Sequence, residues 1–164
     1  EEIENELKNI DQYLYSDAFQ EKLKKQITKF NRYFSSVSYE LYGEKYALTY
    51  EIINNKKTNK PVYKFSTFNS NMSSGKKQGE ILCFDLAYIM FADEEGISCL
   101  HFLLNDKKEL MHDNQLSKVA DFVMKKNIQL VISILKDKLP GYLLNKANIV
   151  IELSQEDKLF RIEQ

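Results

Sequence analysis

Proline and glycine are scarce in this chain of 164 residues, with 2 and 5 copies respectively, which excludes collagen-like repeats and a chain dominated by linkers. Cysteine is scarce too. The 2 cysteines, Cys83 and Cys99, sit among apolar sequence neighbours and form no disulfide framework, a pattern that fits a reducing cytoplasm. Charge of one sign is missing: 23 Lys and Arg face 24 Asp and Glu, a formal net charge of -1, so no overall basic field draws the chain onto nucleic acid or a membrane. Any such contact has to be a local patch. The longest apolar run, Ile81 to Ala92, is interrupted by Asp85 and falls short of the roughly 20 residues that a membrane-spanning helix requires. No signal-peptide pattern is read within these residues, in keeping with the expected cytoplasmic setting. The chain begins at Glu1, without an initiator Met, directly in a helical pattern, as expected of a piece of a longer protein.

What is present is ample apolar material, 43% of residues, enough for one domain with a single core. From Ile3 to Phe34 the apolar residues fall at Ile3, Leu7, Ile10 and Leu14, then, after a phase break near Phe19, at Leu23, Ile27, Phe30 and Phe34. Spacings of four and three predict a helical arm that either ends a coiled coil or lies on its own domain. Its opposite face carries Lys22, Lys25, Lys29 and Arg32, which reads as a solvated face or as a ridge for phosphate. Tyr46 to Ile53 and Val62 to Phe68 predict an antiparallel hairpin around the polar turn Asn54 to Lys60. A helix over Lys77 to Ala92, apolar on nearly every face, has to be buried. The strand Ile97 to Leu104, a helix through Leu116 to Lys126 capped by Asp113 or Asn114, and the strand Ile128 to Ile134 make a parallel crossover unit. Ala147 to Leu153 and Leu159 to Ile162 predict a closing hairpin. The expected fold class is α/β, a mixed sheet with parallel core strands and flanking helices behind a coiled-coil-like helix.

Two features carry chemistry. Asp106 stands directly after an apolar strand, where open α/β sheets place their ligands, and a carboxylate there can hold Mg²⁺ bound to a nucleotide. The loop Ser73, Ser74, Gly75, Lys76 and Lys77 precedes the apolar helix, so its backbone N–H groups, hydroxyls and lysines are the parts of an anion site. No Gly-x-x-x-x-Gly-Lys-Ser/Thr loop occurs in the chain, so a complete nucleotide pocket is not encoded here. Cys99 and His101 alternate along one strand face and suggest a metal pair, two ligands short of a closed structural zinc site. His112 has no nucleophile beside it in sequence. Asp85, inside the apolar helix, is expected to be hydrogen-bonded, because an unpaired buried carboxylate is costly.

In this order (coiled-coil-like helix, hairpin, Ser-Ser-Gly-Lys-Lys before an apolar helix, apolar strand ending in Asp106, a second aspartate at 113, another apolar strand) the chain resembles the C-terminal lobe of the ATPase head of SMC-like ABC proteins, the class that includes RecF and RecN. It is most similar to a bacterial domain-of-unknown-function family at the C-terminal end of SMC-like ATPases. The resemblance implies the C-terminal half of a P-loop ABC-type head, with a helical arm over residues 1–34 at the end of a candidate coiled coil and the lobe over residues 35–164. It implies that Ser73, Ser74, Gly75 and Lys76 form the signature loop that closes over ATP bound to the opposite head. Asp106 then matches the Walker B aspartate that supports Mg²⁺, and Asp113 the D-loop aspartate. Lys107 occupies the usual position of the glutamate that polarises the attacking water, and lysine is a poor acceptor for that proton. Glu109 reads as a solvated turn residue, and as a substitute base only if its turn brings it to the site; Lys107 and Lys108 read as an exposed charged turn, or else as contacts for phosphate or DNA. The switch histidine of the family falls near Ile134 or Leu135, where the sequence has none.

The implied cofactors are ATP and Mg²⁺. The implied partners are an N-terminal lobe with a Walker A loop, a second head and DNA reached through the assembled complex, in cytoplasmic DNA repair or defence against foreign DNA. This fragment alone is expected to be inactive. The competing reading is an ATP-independent interaction module on a degenerate ABC-head fold.

Overall fold

The computed structural model describes residues 1–68, 74–106 and 113–154. Helix α1 spans Glu2–Leu14 and α2 spans Asp17–Tyr42; strands β1, Ala47–Asn54, and β2, Pro61–Phe68, follow. Then come α3, Ser74–Glu95, β3, Phe102–Asn105, α4, Asp113–Lys125, β4, Gln129–Ile132, and a short α5, Gly141–Leu144. β1 and β2 pair antiparallel with Ala47 opposite Phe68. β3 and β4 pair in parallel, Phe102 opposite Gln129, with α4 as the crossover. The predicted hairpin and parallel unit are therefore both present, but among the described residues they form two separate two-stranded sheets and not the one mixed sheet expected. No described helix is long and apolar enough to cross a membrane.

The core forms where three helices turn apolar stripes toward each other. On α2 the buried residues are Phe30, Phe34, Val37, Ser38 and Leu41, one face of a 3.6-residue period. Leu82, Cys83, Leu86, Ala87 and Ile89 of α3 meet them, and Val119, Phe122 and Val123 of α4 complete the cluster with Tyr46 and Ile128. Aromatic rings interlock at its centre: Phe30 lies 5.5 Å from Phe34 and 5.9 Å, edge-on, from Phe91. Each fully buried side chain of this size contributes about 1.5–3 kcal/mol.

Helix ends are set by local chemistry. The Ser16 hydroxyl accepts from the Phe19 N–H at 3.3 Å and so caps α2. At its other end Gly43 adopts φ 72° and donates its N–H to the Tyr39 carbonyl at 2.8 Å, a left-handed cap that a side chain would strain. The phase break predicted near Phe19 thus falls at Tyr15 and Ser16, where the cap restarts the helix. α2 then runs on without interruption through residue 34 to Tyr42. Lys29 of the basic stripe donates to Glu95 at 2.7 Å and Lys22 to the Tyr13 hydroxyl at 2.9 Å, so two of the four cations are already engaged by protein groups.

β1 is fastened along α2. Asn31 donates its Nδ2 to the Leu48 carbonyl at 2.9 Å and accepts the Leu48 N–H at 2.7 Å, while the Ser38 hydroxyl accepts the Tyr46 N–H at 2.9 Å. At the far end of the hairpin the Tyr15 hydroxyl donates to the Pro61 carbonyl, the Tyr63 hydroxyl donates to the Leu14 carbonyl, and the two rings stack at 5.3 Å.

Three expectations require correction. The continuous strands Ile97 to Leu104 and Ile128 to Ile134 shrink to Phe102–Asn105 and Gln129–Ile132, because among the described residues each has one neighbour and ladder pairing extends only as far as that neighbour does. α3 is not buried on every face: Ile81, Phe84 and Tyr88 are exposed. Residues 147–154 form no strand, and the partner predicted for them, Leu159 to Ile162, lies outside the described residues.

Candidate functional site

α3 opens with Ser74, Gly75 and Lys76 as its first three residues. The first N–H groups of an α-helix have no partner inside the helix, and 22 residues of aligned peptide dipoles lie behind them, so this end favours an anion. Ser73 lies outside the described residues. The start of α3 is located by close packing on α2, since a Cβ at Gly79 would stand 2.5 Å from the Tyr42 ring. Beneath these first turns lies a group of polar atoms. The Tyr42 and Tyr46 hydroxyls and one oxygen of Glu80 are buried and have no hydrogen-bond partner among the described residues. Burial raises the Tyr46 phenol to about 12, with Glu44, Cys83 and Glu80 adding to the effect. Tyr42 is raised as well, chiefly by burial and then by Cys83 and Tyr46. Both rings therefore stay neutral and protonated through the physiological range.

Asp106 follows β3 directly and is exposed. The ladder continues to this point: the Ser133 N–H donates to the Asn105 carbonyl at 3.1 Å. The carboxylate thus stands at the carboxyl end of a parallel pair, the place at which such sheets bind ligands, and its oxygens suit a hard cation. Asp113 is the first residue of α4. Lys107, Lys108, Glu109 and His112 lie outside the described residues. After β4 the chain passes through Ser133, Ile134 and Leu135, none of them a histidine. Taken separately, the first N–H groups of α3 suit an anion and the exposed Asp106 carboxylate suits a hard cation.

The feature that sequence reasoning missed is an uncovered apolar face. Ile81, Phe84 and Tyr88 recur at helical spacing on α3, and Leu100, Phe102 and Leu104 alternate toward one side of β3 and its approach. Leu100 is 79% exposed, Leu104 74% and Ile81 58%. Phe84, Tyr88, Leu100 and Phe102 line a groove of about 420 Å³ with Asp85 and Leu103. Asp85 is consequently half-buried at a groove rather than enclosed in a core. Sequence alone cannot reveal such a face, since residues apolar on every side read as interior whether or not the covering element belongs to the same chain.

Residues 37–164 match the sequence profile of a family described as "Uncharacterised protein conserved in bacteria (DUF2326)". No curated protein matches the chain by sequence. Among solved structures, one from work on ATP-driven dimerisation and DNA-stimulated activation of SMC ATPases is similar with a TM-score of 0.51 at 20% identity, over 84% of this chain and 83% of that one. A second, the SMC head bound to the C-terminal winged-helix domain of ScpA, gives a TM-score of 0.43 at 18% identity and covers 76% of this chain and 40% of that one.

Proposed function

The chain belongs to the bacterial DUF2326 family, and from that premise we propose that it is the C-terminal lobe of an SMC-like ATPase head. In this reading an N-terminal lobe with a Walker A loop covers the α3 and β3 face, and two such heads close on ATP. The observation that carries it is the open apolar side of the β3–β4 pair. Two parallel strands are too few for a self-sufficient sheet, and parallel sheets are found buried on both faces, so Leu100, Phe102 and Leu104 call for a further layer. The fold shared with an SMC ATPase structure and Asp106 at the carboxyl end of β3 point the same way.

The first N–H groups of α3, with Ser73, Ser74, Gly75 and Lys76, would hold phosphate of the nucleotide on the opposing head. Asp106 would hold its Mg²⁺, and Asp113 would face the partner head. Bound ATP would supply the negative charge that draws the two positive helix ends together. α2 would carry the closure to α1, with residues 1–34 acting as the arm, and the setting would be DNA repair or DNA defence. Ser73→Arg in the complete protein should abolish ATP-induced dimerisation measured by light scattering, because the long cation would fill the space meant for phosphate. Dimerisation at the wild-type nucleotide concentration would remove the signature-loop assignment.

A second reading, an ATP-independent interaction module, is favoured by Lys107 at the usual glutamate position and by the missing histidine after β4. The two part on a simple result: ATP changes the mass of the complete protein in solution under the first reading and leaves it unchanged under the second.

A further inference from the structure

Cys99 and His101 supply too few ligands for a closed zinc site, yet the fold brings them a third. Asp93, in the last turn of α3, offers a carboxylate oxygen that lies, with the Cys99 Sγ and a His101 ring nitrogen, in a group whose ligand atoms are all within 4.8 Å of one another. The His101 Nε2 and the Asp93 Oδ1 are already 2.9 Å apart.

A rigid turn produces this convergence. Gly96, at φ 66°, donates its N–H to the Asp93 carbonyl at 3.3 Å, and the Ile97 N–H donates to the Ala92 carbonyl at 2.8 Å. These paired bonds form a Schellman motif, which ends the helix and turns the chain back past its last turn. Residues 99 and 101, on alternate positions of the returning segment, then face the position held by Asp93. The far side is fixed as well, since the His101 carbonyl accepts the Gln129 N–H at 2.8 Å.

We propose that Asp93, Cys99 and His101 form a divalent metal site of the zinc class, with three protein ligands and a fourth position open to water or a partner group. A thiolate, an imidazole and a carboxylate are the donor types that zinc takes, whereas Mg²⁺ and Ca²⁺ avoid sulfur. Tetrahedral zinc with bonds of about 2.0–2.3 Å sets its ligand atoms about 3.3–3.6 Å apart. The ligand atoms, at most 4.8 Å apart, would have to close by roughly 1 Å to reach that spacing, and their side chains have room to turn because Asp93 and His101 are exposed and Cys99 is half-buried. The site lies at the amino end of β3, five residues from Asp106, or about 16 Å at about 3.3 Å per residue. It is therefore a different place from the nucleotide-facing end of the sheet, and it goes beyond the ATPase-head reading and does not depend on it. A bound ion there would lock the end of α3 to the start of β3.

The test is titration of the purified protein with Co²⁺, which reports its ligands optically, followed by displacement with Zn²⁺. The wild type should bind one equivalent, with a thiolate-to-cobalt charge-transfer band and the intense visible bands of tetrahedral cobalt, and Zn²⁺ should erase both. Cys99→Ser should lose the charge-transfer band. Asp93→Asn and His101→Ala should each weaken binding at least about tenfold, while His101→Cys, which substitutes one ligand for another, should retain it. Cys83→Ser and His112→Ala should leave the titration unchanged. Far-ultraviolet circular dichroism checks that each variant is folded. No charge-transfer band in the wild type, its persistence in Cys99→Ser, or an unchanged affinity in Asp93→Asn would each overturn the proposal.

Discussion

Phe34 and Leu104 are both large apolar side chains on regular elements, yet Phe34 is fully buried and Leu104 is 74% exposed. Phe34 belongs to the side of the molecule where α2, α3 and α4 close on one another. Leu104 belongs to the side where α3 and β3 meet nothing described. The same α3 serves both: Leu82, Leu86 and Ala87 point into the core, Ile81 and Tyr88 stay outside it, and Phe84 lies at the boundary, part-exposed with its ring 5.0 Å from Phe30 and 5.8 Å from Phe34. One helix with two apolar faces, only one of them covered, is built to sit between two layers. The difference separates residues that hold this chain folded from residues that, on the proposed reading, would meet a covering lobe.

The comparison is broken most forcefully on the covered side. Phe34→Ala should cost about 3–5 kcal/mol, the usual range for an aromatic removed from a core, read as a fall in the urea midpoint. Gly79→Ala comes next. The new methyl group would meet the Tyr42 ring at 2.5 Å, and overpacking of this kind costs about 1–3 kcal/mol. Pairing it with Tyr42→Ala should recover part of that loss in a double-mutant cycle. Asp106, by contrast, can be changed to Asn with little effect on folding, since its side chain is exposed after the last ladder bond.

A smaller effect concerns the tie between α2 and α3, and it depends on pH. Hydrogen bonds from Lys29 first, then Gln26, hold the Glu95 carboxyl below its usual value. A group with a lowered folded value adds stability above its unfolded value and loses it as pH falls through the folded one. The difference in melting temperature between wild type and Glu95→Gln should therefore be constant from neutral pH down to the ordinary carboxylate range and disappear below it. A difference that grows on acidification would contradict this sign. Smallest of all, Leu104→Ser should move the stability of this chain by no more than about 0.5 kcal/mol. In the complete protein the same change should weaken association with the covering lobe, measured by co-purification of the separately expressed halves. A large loss of stability in the isolated chain would mean that Leu104 is a core residue after all.

The hairpin, the crossover through α4 and the position of Asp106 were legible in the sequence because each depends on short-range signals: alternation, a polar turn, an apolar run ended by a carboxylate. The stripe Phe30 and Phe34 was legible for the same reason. Asn31 was not, since nothing local distinguishes an asparagine that bonds both groups of a strand residue 17 positions away from one facing water. Asp93 was equally hidden, because its approach to His101 depends on how Gly96 turns the chain. The lengths of β3 and β4 were overestimated because residue type sets what can pair, whereas the number of neighbouring strands sets what does. Ser73 and Lys107, which matter most to the ATPase reading, rest on sequence alone.

The hairpin is tied to α2 and to the joint before it. The Ser38 bond to Tyr46 holds it near one end of α2, and at the other the bonds from Tyr15 to Pro61 and from Tyr63 to Leu14 hold it to the α1–α2 joint, with the Phe19 ring of α2 6.1 Å from Tyr63. Two rods fixed together at both ends form a braced frame, and a frame resists bending far better than either rod alone. The 26 residues of α2 span about 39 Å, so a tilt of about 10° at the core would swing the α1 joint by roughly 7 Å. With the hairpin as the second strut, such a swing would reach α1 as a rigid displacement and not be lost in flexing along the way.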